Sequence, residues 1–563
     1  MSKQMTRREA LGLGLASGAI LAAGNTSLAQ TAAHATQSNG IVVTRIPDVV
    51  IAYQGLRSPS QLERQGSRFS DANFNVEIED RSDVCTVYLS APKAAPTHIM
   101  LRWKQPVSPL LLLLGDAWER SYGELQWLQP TPDKPLPWYF LTWNGKTLDG
   151  CGVKTGAAAL CFWQVDQDGV SLWLDVRNGG NGIRLGDRRL VAAQVVARSG
   201  LPGETPLASA RAFCKTMASR PARPCRAVYG SNDWYYAYGK NSASATLRDA
   251  ELIVSCAPVG APAPFAIIDA GWERKEAFPD MAMLSDEIRR RDALPGIWVR
   301  PLEAKQEALI SLLLPDERYG TRKERYAERA YDPTIPEALE KAISKVRQVV
   351  AWKYDLVKHD FSTYDLLGGW GFEMGASPTN PGWNFHNQSK TNAEIISDLY
   401  GAIRGAAGEK TLIIGCNTVG HLAAGIFEIQ RTGDDVSGIE FRRTRRMGVN
   451  TLAYRLCQNG TFFCQDADCV PITTRVSWPQ NRKWMELVAA SGTACLISPA
   501  PDAVGEEQKR AIRTAFQRAC HASAEFAPAD WFETTTPANW EMTAGEKEHF
   551  DWYDEESGWP FQL

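Results

Sequence analysis

From position 228 onward the chain repeats one pattern: a short apolar run, a polar residue at its end, then a helical stretch. The runs fall at 228–234, 264–272, 296–300, 353–360, 411–417, 426–435, 461–468 and 494–498, with helical patterns such as 242–255, 392–407 and 506–523 among and after them. Strands that alternate with helices signal a parallel sheet, and eight such units predict a (β/α)8 barrel. The polar ends matter because barrel enzymes place their chemistry at the C-terminal ends of the strands.

Ahead of this region the texture differs. Between 41 and about 210, short alternating runs such as Asn75-Val-Glu-Ile, Cys85-Thr-Val-Tyr-Leu and Ser171-Leu-Trp-Leu-Asp-Val are broken by Gly, Pro, Asp and Asn. Alternation with frequent turn residues predicts an antiparallel β-sandwich. Trp103, Trp118, Trp127, Trp138 and Trp143 lie in it, either as core residues or as a glycan-binding surface. The expected order is an export signal and linker over 1–40, a β-sandwich over 41–215, the barrel over 225–523 and a tail over 524–563.

The first 30 residues carry Arg7-Arg8, a Gly/Ala-rich apolar run and a small-residue region near Ser27-Leu-Ala29. That is the layout of a twin-arginine export signal, so a periplasmic or secreted location is expected. No later stretch is apolar enough to span a membrane, so no membrane association is expected after processing. A net charge of −3 gives no sign of a nucleic-acid partner. The chain has seven His, at 34, 98, 359, 386, 421, 521 and 549. This scarcity favours carboxylate chemistry over metal or triad chemistry. Cys457, Cys464 and Cys469 have no metal-ligand spacing and read as buried thiols or one local disulfide.

Two strand ends carry acids. In Lys358-His-Asp360 the first and third side chains share one face of a strand. Arg431-Thr-Gly-Asp434-Asp435 ends another run. Two carboxylates delivered to one rim from different strands are what glycoside hydrolysis needs: one attacks the anomeric carbon or activates water, the other protonates the leaving oxygen. Lys358 beside Asp360 would keep that carboxylate ionised.

With these strand ends in view, residues 226–500 resemble the catalytic barrel of glycoside hydrolase clan D, the retaining α-galactosidases of families 27 and 36. The preceding sandwich is more like family 36. Ile267-Ile-Asp269-Ala-Gly-Trp272 is similar to the family's IDDGW, Lys358-His-Asp360 to its KxD, Arg431 to Asp435 to its R-x-x-x-D, and Asp466-Ala-Asp468 to its DPD. The resemblance implies Asp360 as nucleophile and Asp435 as acid/base, with Asp434 as the alternative for the second role. It implies a carbohydrate substrate, sugar contacts from Asp269, Lys358, Arg431 and Asp468, and no cofactor or metal. Asn232, Trp234, Trp272, Asp434 and Cys416, at or just beyond strand ends, complete the candidate set. The second Asp of IDDGW is Ala270 here, which makes arabinopyranose or a modified galactose the alternatives to galactose. The aromatic insertion 366–387 would roof the pocket or pack on a neighbouring loop or subunit. The competing readings are a silent glycan-binding barrel and a metal-dependent hydrolase.

Overall fold

In the computed structural model the described residues are 40–55, 58–81, 83–322, 328–521, 526–542 and 545–553. Residues 1–39, where the export signal is expected, lie outside them. The first described domain is a pair of antiparallel sheets of six and eight strands. Alternation builds them: in Val84–Ala91 every second residue is buried, which puts Cys85, Val87, Leu89 and Ala91 on the inner face. The two sheets meet on aromatic rings, with Trp163 lying 6.0 Å from Trp103 and 5.5 Å from Phe140. Trp103, Trp118, Trp127 and Trp138 are buried. Trp143 stacks on Phe532 of the tail at 4.7 Å. All five therefore pack within the protein, and the core reading is the one the structure supports.

The second region is a curled parallel sheet of nine strands. In chain order they are β1 Tyr229–Asn232, β2 Phe265–Ile268, β3 Leu294–Val299, β4 Leu356–His359, β5 Leu412–Gly415, β6 Ile429–Arg431, β7 Cys464–Asp466, β8 Val470–Ile472 and β9 Cys495–Pro499. The spatial order is β7-β6-β5-β4-β3-β2-β1-β9-β8. This corrects the expectation of a closed eight-strand barrel. Of the run 461–468, expected as one strand, only Cys464–Asp466 is strand, and Asp468, with a φ of 81°, turns the chain before β8. A further strand, β8, begins at Val470, beyond that run, and pairs with β9. Between β7 and the start of β9 there is a single bridge, in which Ala494 N–H donates to Gln465 O at 2.9 Å.

The helices start where capping chemistry places them. Ser242 caps Ala243–Cys256, and Thr391 with Glu394 forms a capping box on Asn392–Ala407. The insertion after β4 packs on the sandwich. Trp118 Nε1 donates to Gly375 O at 2.8 Å, and Asn178 Nδ2 donates to Asn387 O and Lys390 O, both at 2.8 Å. Gly180 is required at this contact, because a Cβ there would lie 2.0 Å from Asn380 O. The tail adds a three-stranded antiparallel sheet, with Trp531 set edge-on to Trp127 at 5.3 Å.

Candidate active site

Period-two alternation decides which strand residues face the interior of the curled sheet. Val228, Phe265, Ile267, Leu356, Ile414, Ile429, Ala494 and Leu496 form a buried interior cluster with Leu294 and Leu412 at its margin. Continuing the same parity to the strand ends gives Asn232, Asp269, Trp298, Lys358 with Asp360, Cys416 and Arg431. The C-terminal rim is therefore polar because the apolar alternation runs out there.

Asp360 is fully buried just after β4. Its carboxylate accepts from Trp298 Nε1 at 2.9 Å and from the backbone N–H of Phe361 at 2.8 Å. Lys358 Nζ donates to Asp269 Oδ2 at 2.6 Å, and Asn232 Nδ2 donates to the same oxygen at 2.9 Å. Lys358, on the same strand face as Asp360, thus bonds Asp269, just after β2. Beneath this group Asp233 is buried, and burial pushes its carboxyl up to about 8. It accepts from the Asp269 backbone N–H at 2.9 Å, so it supports Asp269 from behind.

The second acidic group sits after β6. Arg431 donates to Asp468 at 2.6 Å and to Asp435 at 3.0 Å, and its Nη1 lies 4.0 Å from Cys416 Sγ. Asp468 also accepts from the Tyr235 hydroxyl and from the Val436 backbone N–H. Asp434 is bonded by Arg443. Asp435 and Asp434 therefore diverge: the first shares the strand residue Arg431 with Asp468, and the second turns toward the helical segment that follows β6. Arg431 and Lys358 both act on the buried Asp466, whose carboxyl is pushed up by burial and held back by these two cations. The β4 and β6–β7 groups thus share one electrostatic centre.

The other expected residues divide. Trp234 packs in the interior cluster, 5.7 Å from Tyr238. Cys416 is buried beside Arg431. Trp272 belongs to the outer packing: its indole donates to Trp298 O at 2.8 Å and its ring lies edge-on to Trp352 at 5.9 Å. Ala270 borders the interior cluster, so a methyl group stands where the family motif has a carboxylate.

Three contributors were missed. Trp298 and Asp466 were findable, since each sits at the inward end of an identified strand. The third comes from the sandwich. Its loop 116–122 enters the site with Glu119, Arg120 and Tyr122, all buried. Arg120 lies 3.3 Å from Asp434 and 3.4 Å from Asp435. Glu119, pushed up by burial against the pull of Arg120, accepts from Gly371 N–H at 3.0 Å and from Asn417 Nδ2. Its only signal in the sequence is the dense charged and aromatic run Trp118-Glu-Arg-Ser-Tyr122. Trp370, from the insertion, lies 5.8 Å from Arg120 and 5.5 Å from Phe361. The insertion therefore packs on the sandwich and also borders the site.

A β-sandwich followed by a curled parallel sheet is a fold this chain shares with solved α-galactosidase structures. Among solved structures the chain is similar to the Thermus thermophilus α-galactosidase in complex with p-nitrophenyl α-D-galactopyranoside, at 16% identity and TM-score 0.57, covering 86% of this chain and 99% of that one. It is similar as well to the family 36 α-galactosidase AgaA of Geobacillus stearothermophilus, at 11% identity and TM-score 0.52, covering 80% of this chain and 68% of that one. No protein-family model and no curated protein matches the sequence.

Proposed function

We propose that this protein is a retaining α-glycosidase acting on terminal α-galactosyl or closely related sugars. Asp360 is the nucleophile and Asp435 the acid/base. The observation that carries the reading is the buried Asp360, oriented by Trp298 and flanked on its inward face by the Lys358–Asp269 pair. A nucleophilic carboxylate has to stay ionised and be fixed in orientation, and a donor aimed at one of its oxygens serves both needs. The Lys358–Asp269–Asn232 group presents donors and acceptors in a buried rim, which suits sugar hydroxyls.

Asp435 is preferred over Asp434 because it shares Arg431 with Asp468, on the interior side of the rim. In the first step it protonates the leaving oxygen. Once Asp360 is esterified its negative charge is gone, and Asp435 becomes the base that activates water. Retention asks for the two carboxyl groups roughly 5–5.5 Å apart. The methyl of Ala270 supports a narrower alternative for the sugar. A site lacking one carboxylate favours a pyranose that lacks the matching hydroxyl, such as an arabinopyranoside. Export through the twin-arginine route belongs to the same proposal; all twelve cysteines are free thiols, which fits a chain that folds in a reducing compartment before transport.

Nitrophenyl α-galactoside and β-L-arabinopyranoside turnover tests the reading. Asp360→Gly is expected to be inactive and rescued by azide or formate. Asp435→Ala is expected to spare activated aryl substrates more than natural ones, because a good leaving group needs little protonation. An Asp360→Ala variant with near-normal rates would remove the assignment. Glycan binding without turnover of any glycoside would favour a silent binding protein.

A further inference from the structure

Ser121 of the sandwich pairs in parallel with Gly433 of the loop after β6. Its N–H donates to Thr432 O, and its carbonyl accepts from Asp434 N–H, both at 2.9 Å. Arg455, at the end of the helix Asn450–Arg455, donates to Glu119 O at 2.7 Å and to Thr432 O at 2.8 Å, which ties the two loops together. Glu119, Arg120 and Ser121 are almost wholly buried. The sandwich loop is thus built into the segment that carries the two adjacent acids.

We propose that Arg120 is a positioning residue for the acid/base: one guanidinium, delivered by the sandwich, spans Asp434 and Asp435 and sets which of them can carry the proton. This rests on the glycosidase reading. The other cations on the pair have preferred partners. Arg431 is closer to Asp468, at 2.6 Å, than to Asp435, at 3.0 Å. Arg443 is bonded to Asp434. Arg120 is divided nearly evenly, at 3.3 and 3.4 Å. Its group is bordered by the Tyr122 and Trp370 rings at 5.9 and 5.8 Å. Further titratable neighbours are the Tyr122 hydroxyl, Cys416 after β5, Glu119, 3.8 Å from Arg120 Nε, and the tyrosines Tyr235 and Tyr238 after β1, whose hydroxyls feel the charge of Asp435.

Two like charges on adjacent residues cannot both stay ionised cheaply without a shared cation. Weighted toward Asp434, Arg120 leaves Asp435 able to take a proton; weighted toward Asp435, it keeps that carboxylate charged. The sandwich therefore takes part in setting the protonation of the site as well as in packing.

The test compares Arg120→Gln and Arg120→Lys with the wild type. The first readout is the basic limb of kcat/KM on an aryl α-galactoside, which reports loss of the acid's proton in the free enzyme. The second is the titration midpoint of Asp435 from NMR of protein carrying 13Cγ-aspartate, with the resonance assigned by Asp435→Asn. Removing the charge is expected to raise both by about one pH unit or more. Lys keeps a charge but cannot span both carboxylates, so its shift should be smaller and in the same direction. A basic limb and an Asp435 midpoint that stay at wild-type values in whichever variants fold would overturn the proposal. If the wild type turns over no glycoside, the glycosidase reading fails, and the NMR midpoint still decides whether Arg120 governs the pair.

Discussion

Trp298, at the inward end of β3, donates its indole N–H to the carboxylate of Asp360. Hydrogen bonds to charged groups are worth about 1.5–3 kcal/mol. Trp298→Phe keeps most of the ring and deletes the donor, so kcat/KM is expected to fall about 10- to 100-fold with the fold intact, by the same bond energy. Steady-state kinetics alongside circular dichroism checks it, and an unchanged rate would mean the indole N–H does not serve the reaction. Much of this scale was legible in the sequence. Lys358 and Asp360 share a face because alternation requires it, and the order of Asp269, Asp360 and Asp435 follows the strand order. What was not legible is contact between strands. Lys358 bonds across β3 to Asp269, just after β2 and 89 residues away in sequence. No local pattern reports a bond of that separation.

At the scale of elements, strand positions were more legible than strand ends. The run 461–468 is apolar enough for one strand, but the strand ends at Asp466; Asp468, in a positive-φ conformation, turns the chain toward β8, and its carboxylate meets Arg431. The loop after β6 is similarly constrained. A Cβ on Gly433 would lie 2.4 Å from both Met447 O and Thr451 Oγ1. Gly433→Ala must therefore push the loop away from the helical segment behind it and carry Asp434 and Asp435 off their cations. The expected result is a loss of activity of at least about 100-fold, because misplacing reacting groups by about 1 Å costs that much. Thr391→Ala is the control. It removes the capping box of Asn392–Ala407 and the bond from Thr391 Oγ1 to Ala158 O, contacts that involve neither Asp434 nor Asp435, and should cost about 1 kcal/mol of stability with activity unchanged. Denaturant unfolding and turnover, measured on both variants, separate the two effects; equal activity losses would contradict the account.

Across the whole molecule, the sandwich and the curled sheet are joined by buried polar and aromatic contacts as well as by the chain. This part was least legible, since loop 116–122 shows its role only when folded against positions more than 300 residues away. His421, after β5, stacks on Trp138 of the sandwich at 4.5 Å, and burial pushes its imidazole down to about 3. A group whose folded-state pKa is depressed contributes stability above its unfolded value, about 6.5, and loses it as pH falls toward the folded value. Relative to His421→Leu, the wild type should therefore lose about 1.4 kcal/mol per pH unit between 6.5 and 3, and the difference should be flat above 6.5. Urea unfolding across that range tests it, and a pH-independent difference would mean the imidazole does not stay neutral at this joint. The account as a whole rests on a covalent bond between sugar and Asp360. The direct measurement is peptide mapping after reaction with a slowly hydrolysed fluorinated glycosyl fluoride, tried in galactosyl and arabinopyranosyl forms. The expected result is one glycosyl adduct, on the peptide that contains Asp360 and lost in Asp360→Asn. An adduct on any other residue, or turnover of either sugar without a trapped or rescued Asp360, would contradict it.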